Sequence, residues 1–297
     1  MMKVLITGAN GQLGHEMQYL LRGKGIEAIG IGRKEVDFSR PEQVAERIAA
    51  CRADWVINCA AYTQVDKAEE ETELAFRVNR DAARAVAEGV HSHGGRLIQI
   101  STDFIFDGRQ PLPYHENDDA NPLNVYGQSK WEGEQAVLEV MPNATIVRTA
   151  WVHGAHGNNF VKTMLRLAAE REELGIIDEQ IGTPSWTLDI SRALHTLMEK
   201  ECSGIYHFTN EGVASWYDFA LATIQEARAL GMALKVERIR PIPASAWPTP
   251  AARPAWSVLS KEKIRAVLDY DIPHWRDSLK TLLQQLTNHG NKQSRLT

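Results

Sequence analysis

Over the first half of the chain, short apolar runs alternate with longer stretches whose apolar positions recur at helical spacing. Val4-Leu5-Ile6-Thr7 reads as a buried strand, a glycine turn follows, and residues 12–21 carry the spacing of an amphipathic helix. Ala28 to Gly32 reads as a second strand. Pro41 to Ala50 reads as a helix with proline in its first turn, where the missing N–H has no intrahelical partner to lose. Trp55 to Asn58, a long helix over residues 73–91 and the strand Leu97 to Ile100 continue the series. Strands that are apolar at every position predict a parallel sheet covered on both faces, because a half-solvated strand would alternate with polar residues.

A polar loop from Asp107 to Pro122 precedes a helix beginning near Tyr126, and Thr145 to Arg148 forms a further strand. Beyond Trp151 the alternation weakens. The expected fold class is therefore α/β: a Rossmann-type doubly wound parallel sheet with a smaller C-terminal substrate-binding lobe. The expected division is a nucleotide-binding domain over residues 1–153 and a mainly substrate-binding lobe over 154–297, with some segments returning to the first domain. Pro241 to Trp256 is too proline-rich for a helix interior or a central strand, and a polar tail follows Asn288.

Composition narrows the partners more than the fold. A chain of 297 residues, 43% hydrophobic and 24% charged, can bury a sizeable core. Its net charge of −5 and the lack of any Lys/Arg block argue against a nucleic-acid partner. No stretch approaches the ~20 apolar residues of a membrane span. The apolar run starts at Val4, directly after Met-Met-Lys, without the pattern of a signal peptide, so a cytoplasmic location is expected. Cys51, Cys59 and Cys202 form no C-x-x-C pair and read as reduced thiols. The expected state is a monomer or a homodimer.

Gly8-Ala9-Asn10-Gly11-Gln12-Leu13-Gly14 places glycines at intervals of three between the first strand and the first helix. Without Cβ atoms the backbone can turn tightly and approach a pyrophosphate, which free N–H groups and the positive helix end would hold. These glycines equally suit a tight strand-to-helix turn with no ligand. After the second strand, where an acidic residue would hold a ribose hydroxyl, the chain has Arg33-Lys34 and then Asp37-Phe38. Two cations there favour a 2′-phosphate, hence NADPH with NADH also accepted, although solvated surface charge would look the same.

Tyr126-Gly-Gln-Ser-Lys130 sets a phenol and an ammonium one turn apart on a helix. A neighbouring cation stabilises the phenolate and brings proton transfer toward the working pH, so Tyr126 would act as acid while Lys130 tunes it. Ser101-Thr102-Asp103 follows an apolar strand, at the end where open α/β sheets place their ligands. A hydroxyl there can polarise a carbonyl or bond the tyrosine, or it can simply cap a turn. Glycine turn, hydroxyl and Tyr/Lys pair occur in order and in matching contexts. Together they point to carbonyl reduction by a nicotinamide cofactor.

With these residues in place, the sequence resembles the dTDP-4-dehydrorhamnose reductases, a family of extended short-chain dehydrogenases, over nearly its whole length. The likeness rests on the Gly8–Gly14 turn, Asn58 to Glu69, Ser101 to Gly108, Pro122 to Lys130, Arg148 to Trp151, Gly157 to Phe160, Gly182 to Pro184 and Arg253-Pro254. What the resemblance implies is reduction of the 4-keto group of dTDP-4-dehydro-L-rhamnose to dTDP-L-rhamnose. It further implies that Tyr126 is the proton donor, Lys130 its cofactor-binding partner and Thr102 the residue that tunes the tyrosine. Gly11, Gln12, Leu13, Asp37, Phe38, Ala61, Tyr62 and Thr63 fall on cofactor contacts, to which the glycine turn adds Gly8, Asn10 and Gly14 and the cation pair adds Arg33 as expected cofactor residues. Thr102, Asp103, Trp151 and Asn159 fall on substrate contacts, and Arg253 would meet the nucleotide diphosphate. Trp151 suits core packing as well as a sugar face, and Arg253 suits a plain surface arginine.

The chain departs from the family at two places. Phe104 stands where a tyrosine is common, which removes a hydroxyl. Glu16 matches the helix-one glutamate of magnesium-linked dimers, but Leu188 occupies the second carboxylate position with Asp189 beside it, so metal, including Mg2+, is unassigned. His153 and His156 have no nearby carboxylate or cysteine and read as loop residues. Three other functions are weighed against the reductase. A sister dTDP-4-ketohexose reductase would give another stereochemistry, such as dTDP-6-deoxy-L-talose. A 4,6-dehydratase would need an acid/base carboxylate pair where this chain has Asp103-Phe104. A non-catalytic NADP-binding regulatory subunit would not need Thr102, Tyr126 and Lys130 together.

Overall fold

The computed structural model describes residues 2–293, and side chains as far as residue 288. Five strands arise in the first half: β1 (Lys3–Thr7), β2 (Glu27–Ile31), β3 (Trp55–Asn58), β4 (Arg96–Thr102) and β5 (Thr145–Thr149). The short strands β6 (Val152–His153), β7 (Glu173–Ile177), β8 (Ile181–Gly182) and β9 (Ser185–Trp186) follow, and then β10 (Gly204–His207) returns to the first group. The resulting six-stranded sheet has the order β2-β1-β3-β4-β5-β10, with every pairing parallel. The chain reverses direction across the sheet between β1 and β3, so the carboxyl ends of these strands open onto a crevice.

Helices α1 (Gln12–Gly23), α2 (Pro41–Cys51), α3 (Val65–Ala68), α4 (Thr72–Phe76), α5 (Ala82–His91), α6 (Val125–Val140), α7 (Phe160–Glu170) and α8 (Thr187–Glu199) complete the layers and begin the smaller lobe. On one face Val44 and Ile48 of α2, Val86 and Val90 of α5 and Val137 of α6 share a core with Leu5, Val56, Leu97 and Ile146. On the other, Met17 and Leu21 of α1 and Ile190, Leu194 and Leu197 of α8 share one with Val4, Ile6, Ile57, Ile98 and Val147. Successive strand residues thus enter opposite cores, which is why the strands read as unbroken apolar runs. The doubly wound α/β architecture is as those runs predict.

Register is set by a polar ladder at the crevice end of the sheet. Thr7 donates to Asn58 Oδ1, and Asn58 donates to Gln99 Oε1 at 2.6 Å, each pair directly opposed across its strands. All three are buried, so a one-residue slip would strand an amide without a partner.

Two local readings change. The long helix over residues 73–91 is interrupted by a π turn at Arg77–Asp81, which turns Asn79 inward. Its amide accepts from Tyr62 N at 2.8 Å, donates to Tyr62 O at 3.1 Å and donates to Ser129 Oγ at 3.0 Å. His153, read as a loop residue, lies fully buried in β6 against Phe219, where desolvation lowers its pKa to about 4. His156 does lie in the loop that follows.

The remaining elements are β11 (Ala214–Ser215), α9 (Trp216–Ala229), β12 (Arg238–Ile242), α10 (Glu262–Arg265), whose Ile264 joins the core under the main sheet, and α11 (Trp275–Gln293) of the smaller lobe. Strand β12 pairs only with β7, so Pro241 needs no second partner for its missing N–H. Phe160, Trp216, Phe219 and Trp275 form its aromatic core. The polar tail after Asn288 begins within α11, and residues 294–297 lie outside the described residues. Among the described residues no helix is long and apolar enough to cross a membrane.

Helix α6 is bound to the sheet by a buried ion pair. Arg148 on β5 donates to Glu134 through Nε at 3.0 Å and Nη2 at 2.8 Å, and its Nη1 reaches the Glu116 carbonyl at 3.1 Å. Arg148→Met, leaving Glu134 buried and unpaired, is expected to lower stability in urea unfolding by about 3–5 kcal/mol. The double variant with Glu134→Leu should regain most of it; a single variant as stable as wild type would show that the pair does not anchor the helix.

Candidate active site

The glycine turn is shaped by backbone lying on backbone. Gly8 has φ of +61°, and a Cβ on it would stand 2.6 Å from the Cys59 carbonyl oxygen. A Cβ on Gly14 would stand 2.3 Å from the Gly8 carbonyl oxygen. Helix α1 therefore begins directly above the β1 terminus, and its N-cap, Gly11, contributes no side-chain cap to the free N–H groups of the first turn. A positive helix end with open donors at the mouth of the crevice fits a dinucleotide pyrophosphate. Arg33 and Lys34 lie exposed just beyond β2 with no hydrogen-bonding partner among the described residues. The carboxylate nearest that strand end, Glu35, accepts from Gly32 N at 2.8 Å and so is turned to the backbone. Asp37 is exposed and accepts from Ser39 N and Oγ, which lowers its pKa. Phe38 is buried in the core beneath the crevice. Ala61, Tyr62 and Thr63 follow β3, and Tyr62 is locked by Asn79 and by its phenol donating to Glu71 at 2.7 Å.

Tyr126, Lys130 and Glu134 lie four residues apart along α6, so they share a face over β4 and β5. Thr102, the last residue of β4, donates to Asp103 Oδ1 at 3.0 Å and accepts from Phe104 N at 3.2 Å, and its hydroxyl lies near enough to the Tyr126 phenol to lower its pKa. Ser101 is buried one residue earlier with its hydroxyl unpartnered among the described residues. Burial pushes the Tyr126 phenol up to about 12; the Thr102 hydroxyl lowers it and the Asp103 charge raises it. Lys130, expected from the sequence to lower it, is itself buried and aims Nζ at the Ile100 carbonyl, 2.7 Å away. Desolvation pulls the lysine down to about 8, with the Glu134 carboxylate holding it up. The phenol is thus a protonated donor at neutral pH, suited to giving a proton.

Around this pair stand residues from both halves of the chain. Asp103 is buried with Oδ2 unpartnered among the described residues, and desolvation raises it to about 6, with nearby Ser257 and the Thr102 hydrogen bond acting to lower it. Ser257 escapes sequence reasoning because a lone serine after a proline-rich segment carries no spacing signal. Trp151 adopts φ of +48°, a left-handed conformation that strains a bulky residue, and it stacks on Trp216 at 3.5 Å. Gly182 lies against the indole: a Cβ there would be 2.7 Å from its Nε1. Phe104 meets Tyr126 edge to face at 5.6 Å. Asn159 caps α7 and donates to Gln12 Oε1 at 2.9 Å and Gly154 O at 2.8 Å, so its polar atoms are used within the protein, bridging lobe and glycine turn. The Arg253 guanidinium is held bidentately by Asp66 at 2.8 and 3.0 Å. Asp66, Asn79 and Asn124 join the site only through the fold. Their one sequence signal is a polar residue at a position the helical pattern marks as inward or terminal.

On the opposite rim, His156 stacks on His15 at 4.0 Å and its ring Nε2 lies 3.1 Å from the Asn10 carbonyl oxygen. Glu16 accepts from Thr187, and Asp189 is bonded by Asn210, Ser278 and Arg192. Among the described residues no cluster of three or more His, Cys, Asp and Glu side chains could hold a metal ion.

A family model described as the RmlD substrate binding domain matches residues 2–288. Over 296 residues the chain is 42% identical to a dTDP-4-dehydrorhamnose reductase of Burkholderia thailandensis, spanning 96% of this chain and 99% of that one. The crystal structure of a dTDP-4-dehydrorhamnose reductase from Bacillus anthracis in complex with NADP matches with a TM-score of 0.90 at 37% identity, over 96% of this chain and 100% of that one. A Streptomyces niveus protein named dTDP-4-keto-6-deoxy-D-glucose reductase is 38% identical over 276 residues, 93% of this chain and 94% of its own.

The raised Asp103 pKa makes a signed prediction. Its protonated form is favoured in the fold, so this contribution is complete below the ordinary carboxylate value near 4 and fades as pH rises through about 6. The stability of wild type minus that of Asp103→Asn, from urea unfolding, should fall by roughly 2–3 kcal/mol between about pH 4 and about pH 7. A difference that stays flat would place the carboxyl in water.

Proposed function

The chain belongs to the dTDP-4-dehydrorhamnose reductase family, and from that premise we propose that it reduces the 4-keto group of dTDP-4-dehydro-L-rhamnose, with Tyr126 as the acid. It is an NAD(P)H-dependent oxidoreductase of the doubly wound class. The observation that carries the assignment is the Tyr126 phenol, held protonated by burial and influenced by Thr102 at the end of β4, on the same helix face as the buried Lys130 one turn on.

Gly8 to Gly14 and the β3 loop would hold a nicotinamide cofactor, which would supply the hydride. The chain's own groups do the rest. Tyr126 delivers its proton to the carbonyl oxygen as that oxygen becomes an alkoxide. Thr102, beside the phenol, lowers its pKa and so favours the phenolate that remains. Lys130, fixed by the Ile100 carbonyl, presents a buried cation to the cofactor ribose and to the developing phenolate. Asp103 with Ser257 would hold a sugar hydroxyl, Trp151 would face the ring, and Arg253 would meet the diphosphate. Arg33 and Lys34 would take a 2′-phosphate, favouring NADPH while NADH is still accepted. In this scheme residues 1–153, together with α8, β10 and the α10 region, form the nucleotide lobe, and the other segments beyond residue 153 the substrate lobe.

A second reading within the class has a specific motive: the Streptomyces relative is named for another dTDP-4-ketosugar. One assay separates the two. Purified protein with dTDP-4-keto-L-rhamnose and NADPH should oxidise the cofactor, and NMR of the product should show the rhamno configuration; a talo product would move the chain to the sister activity. Tyr126→Phe should lower kcat by about 100-fold or more, the usual contribution of a general acid, with NADPH binding retained. Arg33→Ala should raise KM for NADPH about tenfold and leave KM for NADH nearly unchanged. Equal effects on both cofactors would remove Arg33 from the phosphate site.

A further inference from the structure

One buried side chain that the reaction does not use joins the catalytic helix to the far end of the chain. Asn124 is the N-cap of α6, two residues before Tyr126. Its amide is divided between two duties. Oδ1 accepts from Gly127 N at 2.7 Å and closes the first helical turn, while Nδ2 donates to the Ala252 carbonyl at 2.7 Å. On either side of that bond Asp66 grips the same segment, accepting from Ala251 N at 3.3 Å and from the Arg253 guanidinium at 2.8 and 3.0 Å. The next helix N–H, that of Val125, donates to Glu69 Oε1 at 2.9 Å, so the α3 region and the segment hold the helix end between them.

The helix end has no slack toward the reacting groups. A Cβ on Gly127 would stand 2.2 Å from the Phe104 carbonyl oxygen, so the first turn of α6 lies directly on the loop that follows Thr102. A displacement of Ala252 therefore pulls on Asn124, and through the cap on the turn that carries Tyr126. Capping alone does not need an asparagine. Serine, threonine or aspartate would accept from Gly127 N as well, but none of them donates at the distance of the Ala252 carbonyl.

We propose that Asn124 is a positioning residue that couples the seating of Ala251–Arg253 on a nucleotide diphosphate to the placement of the Tyr126 phenol against Thr102, with Asp66 as the anchor that sets the resting position of Arg253. The coupling rests on the ketosugar-reductase reading, which supplies the diphosphate. Ligand that draws Arg253 moves the segment. The asparagine passes that movement to the helix, so acid alignment and substrate binding become linked.

Asn124→Asp and Asn124→Ser test the inference, since each keeps a cap acceptor and removes the donor to Ala252. Both should keep the wild-type thermal midpoint and a Kd for NADPH within about twofold, while KM for the ketosugar rises about tenfold and kcat falls about tenfold. Asn124→Ala, which also loses the cap, should lower the thermal midpoint as well. Wild-type kinetics in both cap-preserving variants would reduce Asn124 to a helix cap and overturn the coupling. Calorimetry with dTDP in the presence of NADP+ needs no turnover and separates this failure from that of the functional reading. A wild type that binds dTDP about ten times tighter than the variants but reduces no dTDP-ketosugar overturns the reductase assignment and supports the link to the segment. A wild type that does not bind dTDP overturns the coupling whatever its turnover.

Discussion

Everything proposed for the site hangs on one desolvated ion pair, Glu134 with Arg148, because it fixes the helix that carries both Tyr126 and Lys130. Arg148 sits on β5 opposite Ser101, the residue before the end of β4, so the pair sets the height of α6 above the strand end from which Thr102 projects. Its third contact, to the Glu116 carbonyl, extends the same anchorage to the long polar loop, and His207 of β10 lies 3.3 Å from the guanidinium. A buried pair of this kind contributes little net stability, but once its partners are in place every other arrangement leaves a charge unpaired. That asymmetry selects one seating of the helix.

Backbone contact takes over where the cofactor and substrate would enter. Gly14 on Gly8 and Gly127 on Phe104 bring helix starts within reach of strand ends, closer than any side chain allows. Both helices meet the crevice with their positive ends, one at the glycine turn and one at Tyr126. The smaller lobe closes the remaining side by polar contacts: Asn159 with Gln12, His156 with Asn10, Arg253 with Asp66 and Asn124 with Ala252. Most of these contacts between distant segments are exchangeable hydrogen bonds or an ion pair and not apolar packing, which suits a cleft that must admit a large anionic ligand.

Desolvation dominates the chemistry of the site. It raises Tyr126 and Asp103 and lowers Lys130, all in the direction of the neutral form. For the proposed reduction this is the useful direction: the phenol would keep its proton until an alkoxide developed to take it, and the lysine and Thr102 would act on the phenolate left behind. The sequence pairing of Tyr126 with Lys130 suggests a cation lowering the phenol, whereas in the folded chain burial raises it and the charge that acts on it is the Asp103 carboxylate.

The order of elements, the parallel sheet and the identities of the glycine turn, Thr102, Tyr126 and Lys130 were legible in the sequence, because strand burial and helix spacing are local and leave periodic marks. The π turn at Asn79 was not, since one extra residue in a turn hardly disturbs an apolar pattern. Nor was the burial of His153, whose surroundings come from β9 and α9. Asp66, Asn124 and Ser257 reach the site from positions 66, 124 and 257, and no spacing relates them. The sequence by itself determined which groups could do the chemistry. Which of them are dry, which are already bonded and which face one another was decided only by tertiary structure, because desolvation and hydrogen-bond partnership depend on neighbours brought together by the sheet and not by the chain.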